Sequence, residues 1–300
     1  MRKRIKPIVV YVVLALLGLA LVIANIHNTS KQQAHLQNVK SAIPSATTPK
    51  TTTSSTSDSS DEELILNPIV DLSGWQLPQD IDYDVLSNHI SGAIIRVFGG
   101  SQISKDSNAA SSNGVDKSFK THIKELKKRD VPVAVYSYAQ GTSVKEMKEE
   151  ARIFYKNASP YKPTYYWIDV EEETMSNMEQ GVQAFLAELK RLGAENVGLY
   201  IGAYFMLEQE VSTKNFDAVW IPAYGTDSGY YEALPNTEID YDLHQYTSQG
   251  NLPGFNNILD LNQINPEKNK RKTFEKLFGK IKKKTTKNKK TTSTNSSSSE

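Results

Sequence analysis

The chain has 300 residues, with 35 Lys and Arg against 34 Asp and Glu, a formal charge of +1 and no cysteine. The absence of cysteine excludes disulfides, thiolate metal sites and a lipidated Cys anchor. The near-neutral total hides segregation: Arg2, Lys3, Arg4 and Lys6 supply +4, Lys268 to Lys290 hold 12 bases against Glu275 alone, and the remaining residues sum to −14.

Behind the basic N-terminus, Ile8 to Ala24 is an uncharged apolar run of 17 residues. A basic flank before such a run predicts an export signal whose basic side stays in the cytoplasm. Its length is near the lower limit for spanning a bilayer. Residues 1–26 are therefore read as a retained single-pass anchor in the cell membrane with the rest of the chain outside. Cleavage after Ala24, giving a secreted form, is the alternative. Residues 27–67 are rich in Ser, Thr, Lys and Gln. They cannot bury enough apolar surface to offset their ordering entropy, which predicts a flexible linker. About 40 residues reach about 35 Å as a coil and ~130 Å when stretched.

Residues 68–266 alternate strand and helix signals, enough for one domain with one core. Strands are predicted at 69–72, 93–97, 132–138, 165–170, 197–201, 218–222, 243–247 and 258–261. Helices are predicted at 119–129 and 144–156, and at 178–192, where Val182, Phe185, Leu186 and Leu189 form one stripe and Gly193 is a stop. Eight strands in about 200 residues imply an α/β fold: an irregular, single-domain, TIM-like (β/α) barrel, built on a parallel sheet. Too little chain separates the last three strands for full helices. Beyond it, residues 267–300 form a basic tail. Phe274, Leu277, Phe278 and Ile281 fall on one stripe of a helix over 268–284, followed by a disordered Lys/Thr/Ser/Asn stretch. Either that stripe docks on the barrel, or the helix binds an anionic membrane or wall polymer.

The segment Tyr165-Tyr166-Trp167-Ile168-Asp169-Val170-Glu171 carries the chemistry. Strand alternation puts Trp167, Asp169 and Glu171 on one face, and the two carboxylates roughly 6.6 Å apart at Cα. That is close enough for each to perturb the other's pKa, as a proton donor and its electrostatic partner require. A plain acidic helix start is the bland alternative. Other strand ends hold Asp71, Tyr136, Tyr138, Tyr200, Trp220, Tyr224, Gln245, Asp260 and Asn262. In a parallel barrel such ends build the active site, and carboxylates with flat aromatic surfaces suit a carbohydrate. There is no HExxH, GxSxG or GxxxxGK[ST] motif, so no metal or other cofactor is expected. The export signal argues against nucleic acid as a partner.

Val70-Asp71-Leu72-Ser73 with Trp75-Gln76 resembles the opening of glycoside hydrolase family 25 lysozymes, the bacterial and phage muramidases. Ile168-Asp169-Val170-Glu171 resembles their Asp-x-Glu motif. Tyr200-Ile201-Gly202, Val219-Trp220-Ile221-Pro222-Ala223-Tyr224, and His244-Gln245-Tyr246-Thr247-Ser248 through Leu259-Asp260-Leu261-Asn262 resemble the later strands, in order. The resemblance implies cleavage of the β-1,4 bond between N-acetylmuramic acid and N-acetylglucosamine in peptidoglycan glycan strands. It makes Glu171 the proton donor, Asp169 its carboxylate partner, and Asp71 and Asp260 supporting acids. Tyr136, Tyr138, Trp167, Tyr200, Trp220, Tyr224 and Gln245 are the expected substrate contacts. A catalytically weak wall-binding module, or a scaffold in a wall-associated machine, is the competing reading. The chain departs from the family pattern at Arg96-Val97-Phe98-Gly99-Gly100, at Ala134-Val135-Tyr136-Ser137-Tyr138, and at His244, where a Trp is usual.

Overall fold

The computed structural model describes residues 64–99, 107–232 and 234–281. The expected anchor, most of the linker and the tail after 281 lie outside the described residues. Among those described, no helix is long and apolar enough to cross a membrane.

Eight strands close into a barrel in chain order. They are β1 (Ile69–Leu72), β2 (Gly92–Phe98), β3 (Val133–Tyr138), β4 (Tyr166–Val170), β5 (Val197–Ile201), β6 (Ala218–Pro222), β7 (Leu243–Gly250) and β8 (Leu259–Ile264). The helices are α1 (Tyr83–Leu86), α2 (Phe119–Lys128), α3 (Val144–Ala158), α4 (Met178–Leu192), α5 (Ala203–Glu208) and α6 (Lys270–Phe278). Each strand from β1 to β6 runs parallel to the next. The parallel expectation fails at β8, which is antiparallel to both β7 and β1. The cause is length. The chain between Gly250 and Leu259 is shorter than the dozen or more residues a parallel crossover needs, so β7 turns straight back.

Side-chain alternation sorts the strands into two cores. Ile168 and Val170 face outward onto the helices, with Val182, Phe185 and Leu189 of α4. Ile69, Ile94, Ala134, Trp167, Ala218, Leu243 and Ile264 face into the barrel. Trp167 fits because β5 carries Gly198 beside it, where a Cβ would lie 2.3 Å from the indole. The helix ends follow local rules: Asn177 caps α4 by accepting from the Gln180 N–H at 2.8 Å, and Gly193 ends it at φ 103°.

The apolar stripe of α6 is buried. Phe274, Leu277 and Phe278 join the interior cluster from below, with Ile281 packed at its edge. The Phe278 ring lies against Gly92 at the start of β2. The nearly buried Asp242 pins the helix, its Oδ1 accepting from Lys268 Nζ at 3.0 Å and Lys276 Nζ at 2.9 Å. Of the two readings open for this stripe, docking on the barrel is the one observed, and the folded unit extends past residue 266. The helix is also shorter than the predicted 268–284, because Gly279 stops it at φ 83°.

Candidate active site

The strand ends opposite α6 surround a cavity of about 170 Å³, lined by Asp71, Tyr136, Asp169, Glu171, Tyr200, Trp220, Tyr224, Gln245 and Asp260. Strand register assembles them. Asp71 of β1 pairs with Asp260 of β8, Asp169 of β4 with Tyr200 of β5, and Tyr200 with Trp220 of β6. Because β8 is reversed, Asp260 reaches the same rim from near its strand's beginning.

Asp169 is 6% exposed, whereas Glu171, one residue past β4, stands open to solvent at the mouth. The two carboxyls are within hydrogen-bonding reach. Two ionised carboxylates cannot hydrogen-bond each other, so the contact forms when one of the two carries a proton. Burial, then the Glu171 charge, pushes Asp169 well above the usual carboxylate range, with Arg96 opposing. Burial raises Glu171, against the hydrogen bond from Asp169, which lowers it, and with a smaller push upward from the Glu172 charge. Burial pushes Asp71 up to about 7, against hydrogen bonds from Asn262 and Gln245. Burial, then the charge of Asp71, pushes Asp260 up to about 8. Such a pocket keeps a carboxylic acid protonated near neutral pH beside others that ionise.

Two of the expected contacts lie elsewhere. Trp167 is fully buried beneath the pocket, stacked on Tyr165 at 5.1 Å between ring centroids and edge-on to Trp220 at 5.6 Å. It is part of the floor. Tyr138 stands half-buried at the rim and donates to Glu172 Oε1 at 2.7 Å. Tyr136, Tyr200, Trp220, Tyr224 and Gln245 all line the cavity.

Two polar residues at the site, Arg96 and Asp116, escaped the sequence reading of it, and a third, Asn262, entered only as a strand-end residue without a role. Asn262 donates to Asp71 Oδ2 at 2.7 Å; its parity with Asp260 on one strand was the available signal. Arg96, on the inward face of β2 with Ile94, is braced through Nε by Asp116 Oδ2 at 3.0 Å. Asp116 also accepts the Gly74, Ser118 and Phe119 N–H groups, a role no local pattern announces. Arg96 thus sets a positive charge beside the acids at one of the places where the chain departs from the family pattern. His244, the other departure, faces outward; its Nε2 donates to the Ala223 carbonyl at 2.8 Å, so it holds the β6–β7 loop. Among the described residues no set of three or more His, Asp or Glu side chains is arranged to hold a metal ion.

Residues 70–255 match the family model described as glycosyl hydrolases family 25. A solved glycosyl hydrolase 25 of Streptococcus pneumoniae, described as a virulence factor participating in host cell invasion, is 56% identical. The match covers 72% of this chain and 94% of that one, with a TM-score of 0.70. The catalytic domain of an endolysin from bacteriophage P40 of Listeria monocytogenes is 26% identical over 72% of this chain and 98% of that one, with a TM-score of 0.60. The bacterial lysozyme of Streptomyces coelicolor, 16% identical over 73% of this chain and 100% of that one at TM-score 0.55, shares the fold. No curated protein sequence matches the chain.

Proposed function

The chain belongs to glycosyl hydrolase family 25, and from that premise we propose that it is a muramidase cleaving the β-1,4 bond between N-acetylmuramic acid and N-acetylglucosamine in peptidoglycan. The observation that carries this reading is the gathering of Asp71, Asp169, Glu171 and Asp260 in one aromatic-walled pocket. Glu171, the solvent-facing member of the proton-sharing pair, gives its proton to the glycosidic oxygen as the C1–O bond breaks. The carbonyl oxygen of the substrate's own acetamido group attacks C1, and the ionised Asp169 orients that group and balances its developing charge. Water then opens the cyclic intermediate at C1, returning its proton to Glu171. This route is one of the substrate-assisted exceptions to a two-carboxylate displacement. Tyr136, Tyr200, Trp220 and Tyr224 supply ring faces and hydroxyls for the sugars. A module that only binds the wall has no need of buried, proton-sharing acids, which are costly to keep.

The same proposal holds the enzyme outside the cytoplasmic membrane on the Ile8–Ala24 segment. The exposed Lys270, Arg271, Lys272 and Lys280, with the bases that follow, supply attraction to anionic wall polymers that the acidic cleft lacks. Digestion of purified peptidoglycan, followed by reduction and mass analysis, tests the activity. Fragments ending in reduced N-acetylmuramic acid are expected. Fragments ending in reduced N-acetylglucosamine, or no fragments, overturn it.

A further inference from the structure

Two side-chain amides converge on one oxygen of Asp71. Gln245 Nε2 donates to Oδ2 at 2.9 Å and Asn262 Nδ2 donates to the same atom at 2.7 Å. Neither amide is free to turn over. Asn262 Oδ1 accepts from the Trp220 indole N–H at 2.8 Å, and its Nδ2 also reaches the Ile69 carbonyl at 3.2 Å. An indole only donates and a carbonyl only accepts, so one orientation satisfies both. Gln245 Oε1 accepts from the Tyr200 and Tyr224 hydroxyls, both at 2.7 Å, which fills both acceptor positions of an amide oxygen. Gln245 is 5% exposed. Its oxygen is spent on the two tyrosines and its N–H is aimed at Asp71, so little of it is left for a ligand.

Burial and the Glu171 charge otherwise oppose the charge of Asp71. Asp260 on β8, Asp169 and Glu171 of the β4 end, Tyr136 on β3, Tyr200 on β5 and Tyr224 after β6 all share its pocket, and β7 contributes Gln245. From β2, Arg96 faces Tyr136 and Asp169. The amides are the side-chain groups that hydrogen-bond the charged form of Asp71 directly.

We propose that Gln245 is a positioning residue: clamped by Tyr200 and Tyr224, it acts with Asn262 to aim Asp71 at the substrate and to favour its ionised, hydrogen-bond-accepting form. This rests on the muramidase reading for the identity of the substrate, but not for the amide geometry. Without the clamp Asp71 takes up a proton at higher pH and presents a donor where an acceptor is needed.

The test compares the full chain in detergent with its Gln245→Met and Gln245→Glu variants. Carboxyl ¹³C NMR, with Asp71 identified by the signal lost in Asp71→Asn, needs no substrate. The Asp71 midpoint should rise in Gln245→Met, because a donor that favours the charged form is gone. On soluble peptidoglycan fragments kcat should fall about 10–100-fold, as for loss of one hydrogen bond to a charged group. KM should stay nearly unchanged, and the acid limb of the pH–rate profile should move to higher pH. A raised KM with an unmoved midpoint and limb overturns the proposal and makes Gln245 a substrate contact. If Gln245→Met does not fold, Gln245→Glu decides. Its carboxyl donates to Asp71 only while protonated, so activity should fail at a lower alkaline pH than in wild type; an unmoved alkaline limb overturns the proposal. A moved midpoint in a protein that releases no fragments defeats the muramidase reading while leaving the positioning role standing.

Discussion

At Glu171 the chemistry turns on which member of the pair carries the proton when substrate is bound. Glu171→Gln keeps the side chain's size and its hydrogen bonding but has no transferable proton. General acid catalysis contributes about 10²–10⁴-fold, so peptidoglycan cleavage should fall by that factor with the thermal midpoint unchanged. Near wild-type turnover would remove Glu171 from its role. Asp169→Asn acts differently. It removes the carboxylate that stands beside Glu171 whenever Glu171 holds the pair's proton, so that proton is lost more easily. Turnover should drop and the alkaline limb of kcat/KM should move to lower pH; a limb that stays or rises contradicts a shared proton. This residue pair was legible in the sequence because strand parity alone puts Trp167, Asp169 and Glu171 on one face. Depth was not legible. Parity gives the side of a strand and not the height along the barrel, so Trp167 looked like a sugar contact and proved to be floor. Gln245 was placed at the right rim, but its partners come from residues up to 174 positions away, which no local pattern reports.

Among the elements, α6 shows how far an apolar stripe speaks for itself. The spacing of Phe274, Leu277, Phe278 and Ile281 announces that one face must be covered, without naming the cover. The barrel interior supplies it, since the strands' inward residues at that end are apolar and need closing from below. Leu277 is fully buried there. Leu277→Ala should therefore cost about 2–5 kcal/mol, the usual range for a large-to-small core change. Lys272→Ala, at an exposed position in the first turn of the same helix, should stay within about 0.5 kcal/mol. Chemical denaturation of the two variants separates the cases: equal small effects would mean the stripe is not part of the core. The reversed β8 illustrates the same limit. Its strand was visible as an apolar run, but its direction is set by the short connection from β7, and composition does not encode direction.

For the whole molecule, the pocket sets activity against stability, and the pH dependence has a definite sign. Asp71 and Asp260 have folded-state values of about 7 and about 8 against an ordinary value of 3.8. Asp169 and Glu171 are raised as well. Between about pH 4 and 8 the folded barrel therefore holds protons that the unfolded chain has released. Their stabilisation is complete below the unfolded values and is lost as pH climbs through the folded ones. Groups of the opposite sign include the buried His122 and His244, held below the ordinary imidazole value chiefly by burial, whose stabilisation is present above about 6.5 and lost as pH falls through their lowered values. Glu188 is another, held down to about 2 chiefly by its hydrogen bond from Arg191, and its stabilisation is present above its ordinary value and lost only as pH falls toward 2. Its arginine partners are largely exposed, so that contribution is small. The thermal midpoint should accordingly rise as pH is lowered from 8 to about 6.5, above the range in which the histidines oppose it. The double variant Asp71→Asn with Asp260→Asn removes two of the titrating groups while keeping shape. Its midpoint should vary less over the same range and exceed wild type at pH 8, and it should cleave no peptidoglycan. Calorimetry across this range decides the matter. A wild-type midpoint that is flat or highest at pH 8 would mean that the acids are already ionised in the resting enzyme, leaving Glu171 without the proton that its role requires.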